Sequence, residues 1–303
     1  MTPGVAVDAK ASSRLEAGCV VCHVPLSRNV AVRLGKSGLY ECRSCGSWTL
    51  LPRVTASEQA GIHDDADYFD HPYFKLRREI TPRIRGRCRD VFARLSSALE
   101  IASLRGERFL DIGCDIGTFL KAAQEEFGIV PVGIDVAERA VRVALSQGVN
   151  AFQGRIEEAP AVFAGFPAAT AIDLIEHVPD PRAFLMEVRN RLRPGGVLYL
   201  ETPNIRSAVY QFGKLLSSVT GGKPEGLFER LFPPQHIQYF TPSSLPRLIE
   251  DAGFTTVKLG TRVLPAADIA AGLSAKIPLS ALQAYDKLLS SEILIWAVLK
   301  RPE

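Results

Sequence analysis

No stretch of the 303-residue chain approaches the roughly 18 uninterrupted apolar residues that a membrane-spanning helix needs, so no membrane span is expected. The segment Met1 to Arg14 lacks an apolar h-region, which argues against a secretory leader. These absences point to the cytoplasm. Cysteine is sparse, with 6 in all, and in a reducing compartment thiols serve more readily as ligands or stay free than form disulfides. A large charge of either sign is also missing. Lys and Arg total 36 against 33 Asp and Glu, and a net +3 neither demands nor excludes a polyanionic partner. Internal repeats and long low-complexity tracts are absent, which argues against a solenoid. The remaining composition, 47% hydrophobic and 23% charged, is ordinary for a globular chain. The length suits one α/β domain plus something smaller.

Four of the cysteines form a pattern. Cys19-Val-Val-Cys22 and Cys42-Arg-Ser-Cys45 make C-x2-C-x19-C-x2-C, within the spacing used by four-thiolate zinc sites. Each pair can chelate through one tight knuckle, and Gly46 lets backbone N–H groups turn toward the sulfurs. So small a core would draw much of its folding energy from the metal. A closed set of four thiolates offers no open coordination position, so the expected role is structural. His23, Cys88 and Cys114 are read as bystanders to it.

The second signal is Phe109-Leu-Asp-Ile-Gly-Cys-Asp-Ile-Gly-Thr-Phe-Leu120, followed by Val132-Gly-Ile-Asp135. An apolar run ending in an acid reads as a buried strand. It enters a Gly-containing turn and then a helix with apolar residues at Phe119, Leu120, Ala123 and Phe127. A tight turn at a helix N-terminus, with an acid at the tip of the next strand, suits a nucleoside-containing ligand. Here the sequence resembles the class I S-adenosylmethionine (SAM)-dependent methyltransferases. Asp111, Gly113 and Gly117 match their Asp-x-Gly-x-Gly-x-Gly motif, with Asp115 where the middle Gly usually sits. Asp tolerates left-handed backbone better than most residues. A dinucleotide-binding dehydrogenase shares the turn, and downstream residues separate the two.

Thr170-Ala-Ile-Asp-Leu-Ile-Glu-His-Val178 reads as a strand running into a loop. Asp180-Pro181 opens a helix, Asp as cap and Pro at its first position, with an apolar stripe at Phe184, Leu185, Val188 and Leu192. Arg193-Pro-Gly-Gly196 ends it, and Val197 to Asn204 is the next strand. This alternation predicts a doubly wound, Rossmann-like parallel sheet. The ordered strings Glu-His-Val-Pro-Asp-Pro, Leu-Arg-Pro-Gly-Gly and Glu-Thr-Pro-Asn resemble SAM methyltransferases of the ubiquinone-biosynthesis type, over about residues 80 to 260, and dehydrogenases lack them. Neither Asp-Pro-Pro-Tyr nor Asn-Pro-Pro-Tyr appears, which counts against methylation of the adenine amino group. A helix over about Pro242–Ala252, a strand from Phe254 and a last strand Glu292–Leu299 close the domain.

The expected organisation is a disordered tail over 1–14, a zinc ribbon over 15–56, a linker and helical cap over 57–105, and the methyltransferase domain over 106–303. Insertions near 206–234 and 264–290 would lie above the C-terminal sheet edge, either as a helical lid on the acceptor or as extra packing or a homodimer surface. The linker carries an acidic stretch, His63 to Asp67, and an aromatic cluster, Tyr68, Phe69, Tyr73 and Phe74. From Lys75 to Arg94 come eight Lys/Arg against Glu79 and Asp90, with Ile84, Val91, Phe92 and Leu95 marking a helix after Pro82. That helix is either a basic wall over the entrance for an anionic substrate or a solvated amphipathic face. Ribbon, aromatic linker and methyltransferase domain together look like bacterial methyltransferases of cell-surface polysaccharide or secondary-metabolite pathways.

The resemblance assigns the SAM site. It implies that Gly113, Cys114 and Gly117 line the methionine portion through backbone, and that Asp111 orients the loop and the amino group. Asp135 would bind the ribose and Val136 pack on adenine. The turn Gly154-Arg-Ile156-Glu157 would lie beside the adenine edge. Arg155 stands where many relatives have an acid, so Glu157 is the substitute, and Asp173 borders the cofactor. On the acceptor side Glu176, His177 and His236 are the catalytic candidates. Ubiquinone-pathway O-methyltransferases and small-RNA 2′-O-methyltransferases hold a divalent cation with E-x-x-E-H and a later His. Here Asp173, Glu176, His177 and His236 follow a similar layout for Mg²⁺, Mn²⁺ or Zn²⁺. The alternative is that Glu176-His177 shapes the loop while His236 is a metal-free general base.

The function expected is methyl transfer from SAM to a small hydroxylated molecule, O-methylation favoured. An RNA methyltransferase gripping through the ribbon and the Arg-rich segment, and a non-catalytic SAM-binding scaffold, are the alternatives. The +3 charge and the mostly apolar insertions speak mildly against nucleic acid, and the intact Asp111, Gly113, Gly117, Asp135 and acid/His set speak against the scaffold.

Overall fold

Four cysteines and three short strands begin the described chain. The computed structural model describes residues 18–27, 29–55, 79–263, 287 and 291–303. The tail over 1–14, the acidic and aromatic linker (His63 to Phe74), Lys75 and nearly all of the insertion near 264–290 lie outside the described residues. In the ribbon, β1 (Val30–Leu34), β2 (Ser37–Glu41) and β3 (Trp48–Leu51) form an antiparallel meander.

The helix expected after Pro82 is α1 (Pro82–Leu99). Thr81 caps it, its hydroxyl accepting from Ile84 N at 3.3 Å, and Pro82 sits where a missing N–H costs nothing. Its apolar stripe buries Cys88, Val91, Phe92 and Leu95, and Phe92 stacks on Phe109 and Phe127 with centroids 4.8 and 4.2 Å apart. There follow β4 (Arg108–Ile112), α2 (Thr118–Phe127), β5 (Val130–Asp135), α3 (Glu138–Ser146), β6 (Asn150–Gln153), β7 (Phe166–Ile172), α4 (Pro181–Arg191) and β8 (Leu192–Pro203). Asp180 caps α4 as expected, accepting from Ala183 N at 2.9 Å.

The insertion near 206–234 is two helices, α5 (Ala208–Thr220) and α6 (Glu225–Leu231). After them come β9 (Gln238–Tyr239), α7 (Leu245–Asp251), β10 (Thr255–Arg262) and β11 (Leu294–Lys300). The main sheet runs β10-β11-β8-β7-β4-β5-β6. Its five strands from β8 to β6 are parallel, while β11 is antiparallel to both neighbours. Helices cover both faces, and the central strands accordingly read as continuous apolar runs. Every residue of β7 but its last is buried.

The ribbon does not stand apart. β9 adds a fourth strand beside β3. Val32, Leu39, Trp48 and Leu50 share one core with Val209, Tyr210, Phe228, Phe232 and Tyr239. The first insertion therefore packs on the ribbon, burying apolar faces that neither could cover alone. Among the described residues no helix is long and apolar enough to cross a membrane.

Candidate active site

The glycine turn lies between β4 and α2, beside the tip of β5. Gly113 and Gly117 have φ of 76° and 81°, and a Cβ would meet Leu174 at 3.1 Å in the first case and Val149 at 3.0 Å in the second. Asp115, in the middle-glycine place, adopts the left-handed conformation expected of it, at φ 50°. The amides of Gly113 and Cys114 donate to Ile134 O at 2.8 and 3.1 Å, which pins the turn to β5. A side chain at Gly133 would strike the Cys114 sulfur, only 2.5 Å from an added Cβ.

Two carboxylates frame this turn. Asp111 is buried and accepts from the Thr170 hydroxyl at 2.6 Å. Burial pushes its carboxyl up to about 7, against the opposing pull of Thr170 and Arg87. Asp135 accepts from the amides of Asp115 (2.8 Å) and Ala137 (2.9 Å), and burial raises it to about 6. Each of its oxygens keeps a second lone pair for a ligand hydroxyl. Val136 is half-buried, Ile156 is in the core, and Glu157 is exposed with its carboxylate 3.3 Å from Arg155.

A cleft of about 110 Å³ opens above the turn, lined by Ile84, Arg87, Gly113, Asp115, Phe119 and Asp173 among others. The two readings of the basic helix divide by residue. Arg85 and Arg89 pair with Glu125 and Glu126 on the surface, and Arg94 lies over the Trp296 ring at 3.7 Å. Arg87 turns into the cleft, where it pairs with Asp173 (3.2 Å) and with the fully buried Glu201. Glu201 also accepts from Arg262 at 2.7 and 2.8 Å and from the Tyr199 hydroxyl at 2.7 Å. Arg87, unremarked as a single residue in the sequence, lines the cleft beside the glycine turn. Its place follows from helical phase, since the stripe Cys88–Leu95 fixes which side faces the sheet.

Glu176 and His177 lie on a single 3-10 turn, Ile175–His177, after β7. Glu176 is fully buried. One carboxylate oxygen accepts from the Thr202 hydroxyl at 2.9 Å and the other has no hydrogen-bond partner. Burial, reinforced by the charge of Asp173, holds its carboxyl well above the usual range. His177 Nδ1 is 2.9 Å from Gln235 O and donates to it, and the His236 ring stands edge-on, centroids 4.7 Å apart. Ligand atoms of Glu176, His177 and His236 all lie within 4.8 Å of one another. An orphaned buried carboxylate oxygen beside two imidazoles fits a divalent cation. Asp173 is not in this group. Its backbone is left-handed (φ 54°) and its side chain goes to Arg87. The D-x-x-E-H spacing thus delivers two of its three side chains to the cluster.

The cysteines converge as the spacing requires. Cys19 and Cys45 sulfurs are 3.5 Å apart, Cys22 and Cys42 sulfurs 3.4 Å, and all four lie within 4.8 Å of one another. Hydrogen bonding from Cys45, then from Ser47, holds the Cys19 thiol down at about 4 against burial, while Cys45 is pushed up by its bond to Cys19 and by burial. Such a set needs a cation before all four can be thiolates. The knuckles are alike: His23 N donates to Cys19 O (2.9 Å) and Gly46 N to Cys42 O (2.8 Å). His23, read as a bystander, occupies the left-handed place (φ 60°) that Gly46 (φ 75°) fills in the second pair.

Comparison with known proteins agrees with this architecture. Residues 80–259 match the family described as "Methyltransferase domain". The ubiquinone biosynthesis O-methyltransferase of Aromatoleum aromaticum is 32% identical over 166 residues, 52% of this chain and 68% of the relative. That of Idiomarina loihiensis is 28% identical over 167 residues, 52% of this chain and 65% of the relative. The matched stretch thus leaves about a third of those relatives uncovered. Among solved structures, the plantazolicin methyltransferase BpumL in complex with SAH superposes with a TM-score of 0.51 at 16% identity, covering 82% of this chain and 96% of that one. The Haemonchus contortus phosphoethanolamine N-methyltransferase 2 in complex with SAM gives 0.55 at 16% identity, covering 84% and 63%.

Proposed function

The chain belongs to the SAM-dependent methyltransferase family, and from that premise we propose that it methylates a hydroxyl of a small metabolite. The observation that carries this reading is the convergence of Glu176, His177 and His236 on the sheet edge that also holds the glycine turn. In a doubly wound fold the chemistry gathers at that edge.

Methyl transfer is an in-line displacement at the sulfonium, so SAM brings the electrophile. The chain has to bind it, orient the acceptor and take a proton. Gly113, Cys114 and Gly117 line the methionine portion through their backbone, Asp111 and Asp173 face its ammonium, and Arg87 faces its carboxylate. Asp135 accepts from the ribose hydroxyls. Val136 and Ile156 pack toward adenine, and Glu157 borders its edge. On the acceptor side His236 takes the hydroxyl proton as general base, with Glu176 and His177 fixing its place. The alternative is that Mg²⁺ or Mn²⁺, held by Glu176, His177 and His236 in place of that general base, would acidify a coordinated acceptor hydroxyl. Zinc at Cys19, Cys22, Cys42 and Cys45 is structural. Relatives named as O-methyltransferases support oxygen as the accepting atom.

Calorimetry with SAH tests the cofactor half. The unmodified chain binds it, and Asp135→Ala loses it; equal affinity in the variant would remove Asp135 from the ribose. Transfer of a labelled methyl group from SAM to a panel of hydroxylated sugars and phenols tests the acceptor half, and label appearing only on amines would overturn it.

A further inference from the structure

The four-cysteine ribbon reaches the acceptor-side histidines through one short strand. Leu50 N of β3 donates to Ile237 O at 2.9 Å, and Thr49 pairs with Gln238 in the β3–β9 register. Their side chains meet too. The Thr49 hydroxyl donates to Gln238 Oε1 at 2.9 Å, with the two residues 0% and 2% exposed. On its other side the same segment is held by the turn that carries Glu176 and His177. Ile237 N donates to Glu176 O at 2.9 Å, and His177 Nδ1 to Gln235 O at the same distance. His236 thus sits in a segment clamped between the ribbon and the 3-10 turn.

The metal-binding end of the ribbon is tied to the same place. The Thr241 hydroxyl donates to Cys45 O at 3.5 Å. Gly46 leaves so little room that an added Cβ would meet the Arg206 guanidinium at 2.8 Å. Trp48 stacks on Phe232 at 6.2 Å, and His236 N donates to Pro233 O one residue beyond it. Apolar packing alone would stabilise a docked ribbon. A buried, directional pair such as Thr49–Gln238 adds registry, because a slip of one residue would leave both groups unsatisfied.

We propose that the ribbon is a positioning element for His236, with Thr49 its specific contact, so that metal at the four cysteines sets the geometry of the acceptor side and not of the SAM side. This rests on the reading of His236 as an acceptor-side residue. The ribbon's strands share no ladder with β4 or β5, which carry the glycine turn, and the ribbon meets those strands through the common apolar core that holds Cys19, Cys45, Leu110 and Ile134.

The test uses the full chain with SAH bound and ring-labelled histidine, followed by NMR, with the His236 signals assigned from a His236→Gln variant. In Thr49→Val, which keeps the volume but leaves Gln238 Oε1 without its donor, the His177 and His236 ring signals shift and the contact between the rings weakens. Thr49→Ser restores both. Removing zinc with a chelator, from protein first dialysed free of Mg²⁺ and Mn²⁺, gives the same shifts, and SAH affinity stays unchanged throughout. Histidine signals that ignore both Thr49→Val and chelation would overturn the proposal. So would loss of SAH affinity along with the histidine shifts, since the coupling would then be global. Failure of the methyltransferase reading would show separately, as absence of SAH binding in the unmodified chain.

Discussion

Asp135 at the tip of β5 accepts the amide N–H of Asp115 at 2.8 Å, so the acid assigned to the ribose also holds the turn assigned to the methionine. A second acid below the turn, Asp111, is buried at the floor of the cleft and accepts from the Thr170 hydroxyl. Two carboxyls stacked beneath one loop make that loop sensitive to protons.

The first prediction follows from their direction of shift. Asp111 is raised from the usual 3.8 to about 7 and Asp135 to about 6, so the folded chain holds protons that the unfolded chain releases. The stability these groups give is fully present below about 4 and is lost as pH rises through 6 and 7. The SAH-free protein should therefore melt at a higher temperature near pH 5 than near pH 8, and Asp111→Asn should flatten the difference. An unaltered difference in Asp111→Asn would remove Asp111 as its source.

Zinc is the second. Metal analysis of the purified chain should return about one zinc per chain, and Cys42→Ser should lower the denaturation midpoint. The paired sulfurs Cys19–Cys45 and Cys22–Cys42 stand close enough that oxidation is the competing outcome. Mass spectrometry showing both pairs as stoichiometric disulfides in freshly purified protein would refute the metal site.

The third concerns Glu176. Titrating the zinc-loaded chain with Mn²⁺ should show one further site, absent in Glu176→Gln, while SAH binds both proteins equally. If no such site is found, the histidine acts alone, and His236→Ala should cost about 10²–10⁴ in rate. Full activity in that variant would sink both versions.

Glu201 carries the fourth. It is fully buried and serves Arg87, Arg262 and Tyr199 at once. Removing one partner of a buried ion pair costs about 3–5 kcal/mol. Because both guanidinium groups keep roughly a quarter of their surface, Glu201→Gln should fall at the lower end. Urea denaturation reads this directly, and a loss below about 1 kcal/mol would place the network with ordinary surface pairs.

Most of the sheet was legible because its strands are buried on both faces and its helices carry plain caps, as Asp180-Pro181 and Thr81-Pro82 do. The glycine turn was legible down to the left-handed Asp115. Three things were not. Asp173 belongs by spacing to the cation set, but a left-handed backbone turns it to Arg87, and nothing in D-x-x-E-H encodes that torsion. Arg87 is one of a run of basic residues, and only the phase of the helix against the sheet separates it from Arg85 and Arg89. β9 is two residues long, too short for any periodicity, and its partner is fixed by tertiary contacts distant in sequence.

That late-arriving strand sets an order of assembly. A ribosome delivers the cysteines first, yet the sheet they anchor lacks its outer strand until Gln238 and Tyr239 emerge, and until then β3 presents an unpaired edge. Metal captured early would hold the knuckles through that interval, while the edge waits for its partner. The front of this protein is therefore finished from its back.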